Sequence, residues 1–507
     1  MPGQATRLGP FAGGLNSLSD PTAVADTELV DCVNFELDLD GSLTSRPPIT
    51  LASAATPGTS RINLLTYYSE PTGTYYLIGS SNTGTYYFNG ASWTLITNTI
   101  NAAAATQFRD RLFLVPPIGA INPGGTWSPS AGFVADADMP QGNAIIPFKN
   151  RLFISPGKGA LTNGSRLHFS NIVPVTGDVD WNVSVNFLDI QAGDGQNLID
   201  VQILNNSIMC FKNDSTYVYN YDSAPDKGSV NNISATIGVS DIHCIVAFEN
   251  TLMIYHEGNV YELINYNYTR LNIKCPFGVD NNVPMTFDQP VAMSLFNDRL
   301  IVRHFDRVYV FNLRTRTWGR WHSERYFAYF LAEPKNSVIT DIPTCFAGSA
   351  ILNTTQLYRI ADTFDAISTE EMTCTFRTKN YDYQISSNFK KLYWWGADVV
   401  AQGDVNVVAL PIVYSTSLSW DQLELGTWDD LQTWDQPLTA IPIVADAVNT
   451  AGAGNRKFLR FNKTLRFRQI YFTVSITNDG TSGTAPCKVF NLTTYVGTRQ
   501  MVSKEIS

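Results

Sequence analysis

The chain has 507 residues, a formal net charge of −10 and only 16% charged side chains. That length accommodates two or three domains, and the acidic total argues against a protein whose main task is gripping nucleic acid, because such proteins carry a basic footprint. The charged fraction lies below the usual ~25%, and Ser, Thr, Asn and Gly take its place, which suits a subunit of a large assembly.

Residues 1–59 form an N-terminal segment with few strand signals. The Gly-rich stretch Arg7–Asn16 reads as irregular loop. The run Thr27–Phe35 is expected to begin as a short helix. From Phe35 an alternating strand, an Asp40-Gly41 turn and a return strand stopped by Pro47-Pro48 predict a hairpin. Asp38 and Asp40 before Gly41 resemble the start of a calcium loop, but Ile49 stands where an EF-hand carries its closing Glu.

Residues 60–365 carry a repeated phrase: a turn, an apolar strand, a second turn, then a strand rich in Tyr, Val or Phe. It is plainest at Met293–Trp321 and recurs at Phe108–Leu114, Phe148–Ile154, Leu204–Cys210 and Phe248–Ile254. Its anchors Leu112, Leu152, Ile208, Leu252 and Leu300 lie 40, 56, 44 and 48 residues apart. One four-stranded propeller blade takes roughly 40–50 residues. With weaker units near Thr74–Phe88 and Phe346–Ile360, the spacing predicts a β-propeller of six or seven blades. The long gap before Ile208 holds Gly193-Asp194-Gly195-Gln196, the expected site of an extended, contact-bearing loop.

From residue 366 the pattern changes. Met372–Thr378, Lys391–Trp395, Val405–Val413, Phe458–Phe461, Leu465–Ile476 and Cys487–Tyr495 read as irregularly spaced strands of a C-terminal β-sandwich. Trp420-Asp421, Trp428-Asp429 and Trp434-Asp435 look like blade signatures but lie 8 and 6 residues apart, so they mark one local Trp-rich loop. The fold class is therefore all-β, with a propeller at 60–365 and a sandwich at 366–507.

No run of apolar residues approaches the ~20 needed to span a bilayer, and Met1–Ala5 lacks signal-peptide features. Cys32, Cys210, Cys244, Cys275, Cys345, Cys374 and Cys487 show no CxxC spacing and read as buried thiols.

The order of features resembles a family. Gly13-Gly14-Leu15-Asn16, Glu28–Phe35, Asp38–Leu43 and Arg46-Pro47 look like the opening of many phage virion proteins. The propeller followed by Phe376–Tyr381, Lys390–Tyr393 and Arg466–Phe472 is similar to the tail nozzle (tail hub) proteins of short-tailed bacteriophages, the group that includes packaged-DNA stabilisation and tail tubular B proteins. The resemblance covers nearly the whole chain and rests on element order and short phrases. It implies a virion protein made in the host cytoplasm and assembled as a homo-oligomeric ring, usually a hexamer. That ring would sit below a portal-adaptor complex, carry tail fibres or spikes, and let double-stranded DNA pass during ejection.

No GxSxG, HExxH or Walker motif occurs, and His168, His243, His256, His304 and His322 are dispersed. No enzyme activity, metal or cofactor is expected. Two basic clusters stand out. Arg303, Arg307, Arg314, Arg316, Arg320 and Arg325 form one; Arg456, Lys457, Arg460, Lys463, Arg466 and Arg468 form the other. Their bland reading is strand charges paired with acids of the same or a neighbouring subunit. The sharper one is a subunit or partner interface at Arg314, Arg316, Arg320, Arg456, Arg460, Arg466 and Arg468. The expected function is a structural tail component that extends the DNA exit channel, retains packaged DNA and docks other tail proteins. The rival is a tail spike or adhesin that binds or cleaves host polysaccharide.

Overall fold

A computed structural model of the protein describes residues 4–53, 62–88, 92–157, 163–173, 178–222, 224–278, 291–305, 307–322, 327–330, 344–349, 356–361, 372–383, 390–400, 404–412, 457–461, 465–467, 469–478 and 487–498. Among them the elements are strands and three short 3-10 turns. No helix of the described residues is long and apolar enough to cross a membrane. The chain divides into two compact units. One is Ile49–Tyr309 with Ser323–Thr363; the other gathers Met1–Pro48, Val310–His322 and Phe364–Ser507.

The first unit is a seven-bladed propeller. Blades 1 to 5 are consecutive antiparallel four-stranded sheets spanning Leu64–Thr97, Ala104–Ala135, Ala144–Asp189, Leu198–Ser234 and Ile245–Arg270. Blade 6 begins with Val291–Phe296 and Arg299–His304. Blade 7 is made of Phe327–Phe330, Thr344–Ser349, Leu357–Ala361 and, as its outermost strand, Ile49–Ser53. The innermost strands of blades 1 to 4 neighbour one another in order, as do those of blades 5 to 7, and that of blade 7 returns to that of blade 1.

Local chemistry explains the repeat. In five blades the first two strands are joined by a two-residue loop, at Arg109-Asp110, Lys149-Asn150, Asn205-Asn206, Glu249-Asn250 and Asn297-Asp298. At least one residue of each loop has positive φ, as tight hairpins require, and Asn and Asp adopt that conformation most readily. The second residue after each loop is Leu112, Leu152, Ile208, Leu252 or Leu300, all fully buried. Their strands are apolar on both faces because each blade is covered on both sides. Leu112 and Leu114 pack toward Tyr68 and Ile78 of blade 1, while Phe113 and Val115 pack toward Leu152 and Ile154 of blade 3. Each such side chain contributes about 1.5–3 kcal/mol on burial.

The second unit is a pair of sheets built from both ends of the sequence. In one, Lys390–Val400 pairs with Lys457–Phe461, Leu465–Phe467 and Lys488–Thr498, and the last also pairs with Gln4–Leu8 and Leu43–Ser45. In the other, Met372–Thr378 lies between Glu28–Val33 and Gln469–Asn478, which pairs in turn with Asp404–Ile412. Ile470, Phe472, Val474 and Ile476 alternate into the core. Phe376 meets Phe11 and Phe35 at ring-centroid distances of 5.2 and 5.8 Å.

Several expectations are corrected. Residues 1–59 are not a segment of their own: 1–48 belong with the C-terminal strands and 49–53 close the propeller. The run from Thr27 is a strand, Glu28–Val33, because partners lie on both edges: Gly14–Leu15 in parallel and Met372–Thr378 antiparallel. The stretch read as loop, Arg7–Asn16, contains the end of the strand Gln4–Leu8 and the whole strand Gly14–Leu15. Gly14 is needed there, since its φ is +67° and a Cβ would sit 2.6 Å from Thr317. The expected hairpin is present as Phe35–Leu37 against Leu43–Ser45. Asp38 spends its carboxylate on Lys488 at 2.9 Å, and Asp40 accepts from the Ser42 amide at 2.8 Å, which holds its carboxyl below the usual range. The run Leu465–Ile476 is two strands, Leu465–Phe467 and Gln469–Asn478, in different sheets. The Trp-rich loop at Trp420–Asp435 lies outside the described residues.

Candidate subunit interface

The turn after Asn312 displays two of the arginines singled out from the sequence. The Asn312 side-chain oxygen accepts from the amides of Arg314 and Thr315, at 2.9 and 3.1 Å, and its carbonyl accepts from the Arg316 amide at 2.8 Å. These bonds fix a tight turn in which Arg316 takes a φ of 58°. Arg314 and Arg316 are exposed. The Arg316 guanidinium lies 5.2 Å from the Phe311 ring centroid, a cation–π arrangement that keeps its charge at the surface.

The other arginines separate. Arg320 pairs with Asp31 at 3.2 Å within the same unit. Arg303 is buried, against the expectation of an outward position, and Arg307 lies beside Gly278. Arg466 occupies the strand Leu465–Phe467, opposite Lys391. Arg325, Arg456 and Arg468 lie outside the described residues.

Arg460 sits in a setting the sequence reading missed. It is exposed, and its guanidinium lies 4.5 Å from the Trp394 ring centroid. Trp394 is parallel to Tyr495, 5.9 Å away with planes 1° apart. Tyr393 also approaches Tyr495, at 5.7 Å, with the Lys391 ammonium 5.1 Å from the Tyr393 ring. A register shift between Leu392 and Trp394 creates this surface. The bulge brings Tyr393 and Trp394 to Tyr495 while Trp395 stays buried. Surfaces rich in Trp, Tyr and Arg carry much of the energy of protein interfaces. The signal available in the sequence was Tyr393-Trp394-Trp395: three large aromatics in a row do not fit a strand that alternates between faces.

The buried arginine that organises this unit is Arg46. Its Nε donates to Asn34 Oδ1 at 2.9 Å, its Nη1 to the Pro47 carbonyl at 2.9 Å and its Nη2 to the His322 carbonyl at 3.0 Å. Trp321 lies under the guanidinium at 5.9 Å. Asn34, in a left-handed conformation, also donates to the Thr373 carbonyl and accepts from the His322 amide.

The loop expected to carry contacts is tied inward. Lys212, fully buried, donates to Asp194 at 2.7 and 2.8 Å, to the Gln191 carbonyl at 2.9 Å and to Ser165 at 3.1 Å. Asp194 is therefore a structural anchor of the loop, and Gly193 and Gly195 have open space around them. All seven cysteines are buried, and burial pushes the Cys210 and Cys244 thiols up to about 12. No group of three or more His, Cys, Asp or Glu side chains able to hold a metal occurs among the described residues.

No family model matches the sequence, and no curated protein matches it. Solved structures do match in shape. The extracellular domain of a protein described as a hybrid two component system of B. thetaiotaomicron is 11% identical, with a TM-score of 0.44 over 68% of this chain. The chain spans 42% of the length of that domain. The WD40 domain of Neurospora crassa Pan2 is 10% identical, with a TM-score of 0.42 over 64% of this chain and 99% of that domain.

Proposed function

We propose that this chain is a structural component of the tail of a short-tailed bacteriophage, a nozzle ring that extends the DNA exit channel and docks other tail proteins. One observation supports the reading. The phrases that carry the resemblance stand at opposite ends of the sequence, yet they build one compact unit. Glu28–Val33 pairs with Met372–Thr378, and Asn34 and Arg46 form the buried hub between them and His322. A motif set scattered by coincidence would have no reason to converge.

In this reading the work is done by geometry and electrostatics, with no catalytic step. A channel wall must release phosphate, and each basic contact adds a counterion-release contribution to DNA binding. The net charge of −10 fits a lumen of acidic and neutral residues. Arg314 and Arg316, together with the Arg460–Trp394–Tyr495 surface, would then face neighbouring subunits or a partner ring, where guanidinium groups form bidentate pairs with carboxylates.

The test is assembly. The purified protein should form a closed ring, a hexamer on the family pattern, and co-purify with a portal-adaptor complex. Arg314→Glu combined with Arg316→Glu should impair the ring while leaving the monomer's circular dichroism unchanged. A monomer that ignores the portal-adaptor complex and binds host polysaccharide would replace this reading with that of a spike or adhesin.

A further inference from the structure

A cavity of about 200 Å³ lies where the innermost strands of blades 1 to 4 and the 3-10 turn Ile242–Cys244 converge. A water occupies ~30 Å³ in the liquid, so this space exceeds the need of a single ordered water several-fold. Its walls are mixed: Ala104, Ala144, Ile146 and Val201 contribute small or branched apolar side chains, while polar atoms make up somewhat more of the lined surface. Into this lining come a few polar groups, among them Asp200, Gln202 and His243.

Asp200 is the unusual one. It is 2% exposed, on a strand that otherwise buries apolar side chains. The β-bulge between Leu198 and Asp200 shifts the register at this point, and bulges commonly re-aim a side chain in this way. Oδ1 accepts from the Val201 amide at 2.7 Å, and the Gln202 amide approaches the carboxylate only at 3.3 and 3.5 Å. Burial pushes the carboxyl up to about 7, with the nearby Asp241 adding to the rise. A buried carboxylate with one strong donor lacks a counter-charge.

We propose that this cavity binds a small organic cation, an alkylammonium on an apolar body, with the Asp200 carboxylate as its counter-charge. The Ala104, Ala144 and Ile146 side chains cover a short alkyl part, and the ammonium supplies the donors that the ionised carboxylate lacks. A metal ion is the poorer fit, since one carboxylate does not make a ligand set. The inference does not depend on the nozzle reading: it concerns the propeller alone.

Butylammonium titrated calorimetrically into the full chain tests it, with the isosteric neutral alcohol 1-butanol as comparison. At about pH 8 butylammonium should bind saturably and at least roughly ten-fold more tightly than butanol. At about pH 5.5 Asp200 must lose a proton before it can pair, so affinity should fall by roughly ten-fold or more. Asp241 and His243 lie on the neighbouring turn, and Asp241→Asn should keep the loss of affinity at low pH. Asp200→Asn should abolish binding, with its fold checked by circular dichroism. Equal binding of butanol, no saturable binding of butylammonium, or binding retained by Asp200→Asn would each overturn the proposal. The comparison of the two ligands uses the unaltered protein, so it decides the matter even if the variant fails to fold.

Discussion

At the scale of single residues, a half-buried histidine and a buried aspartate of the propeller pull stability in opposite directions. His168 packs against Phe187, and burial, reinforced by Arg166, pushes its imidazole down to about 4. The folded state then binds fewer protons than the unfolded one between about pH 4 and 6.5, so this residue's contribution is lost as pH falls. Asp200 has the reverse sign. Its carboxyl is raised from 3.8 to about 7, so the folded state holds an extra proton over that window and stability falls as pH rises. The two slopes oppose each other where their windows overlap. Urea midpoints measured across this range should rise with pH in Asp200→Asn and fall with pH in His168→Phe. The Lys212–Asp194 pair belongs to the same scale: Asp194→Asn leaves a fully buried ammonium short of its counter-charge and should cost about 3 kcal/mol in urea unfolding.

At the scale of elements, the blade is the unit, and it was legible because two independent constraints coincide. A two-residue hairpin loop needs residues that accept positive φ, and the second strand needs a buried Leu or Ile two positions later. Asn205-Asn206 before Ile208 and Asn297-Asp298 before Leu300 satisfy both. Leu300→Ala should therefore cost about 2–5 kcal/mol through the cavity it leaves, read from the shift in denaturation midpoint. Other elements were not legible, for physical reasons. Glu28–Val33 has apolar spacing compatible with a helix, and only its strand partners decide the matter. The buried role of Arg46 is not legible because arginine is rarely buried unless paired; nothing local announces that Asn34, Pro47 and His322 meet its donors. The Trp394 platform depends on a bulge, and a bulge changes which face a residue takes. Of the candidate interface, then, the basic residues were visible in the sequence and the aromatic half was not.

At the scale of the whole molecule, both units are composites of distant sequence. The sandwich draws on 1–48, 310–322 and the C-terminal strands, and its buried hub is one guanidinium. Arg46→Ala strands the acceptors of three hydrogen bonds at once and should cost about 3 kcal/mol. The loss should appear as earlier proteolytic cleavage near the N-terminus. The boundary expected at 365 lies beside the seam at Thr363–Phe364, whereas the one expected at 59 is displaced from the seam at Pro48–Ile49, and the crossing after Tyr309, inside the strand Arg307–Asn312, has no counterpart in a linear reading, which places a boundary only where the pattern changes.

The outer strand of blade 7 also sets a timetable. Ile49–Ser53 leaves the ribosome roughly 300 residues ahead of its partner Leu357–Ala361. At ~5–20 residues per second that is a wait of roughly 15–60 s. During this interval the nascent chain holds an unsatisfied strand edge and an open circle of blades, each able to pair with the wrong neighbour or with another chain. The propeller is thus a structure whose last step is made by one of its first-synthesised strands, and its yield in the cell rests on keeping that strand solitary until the circle can shut.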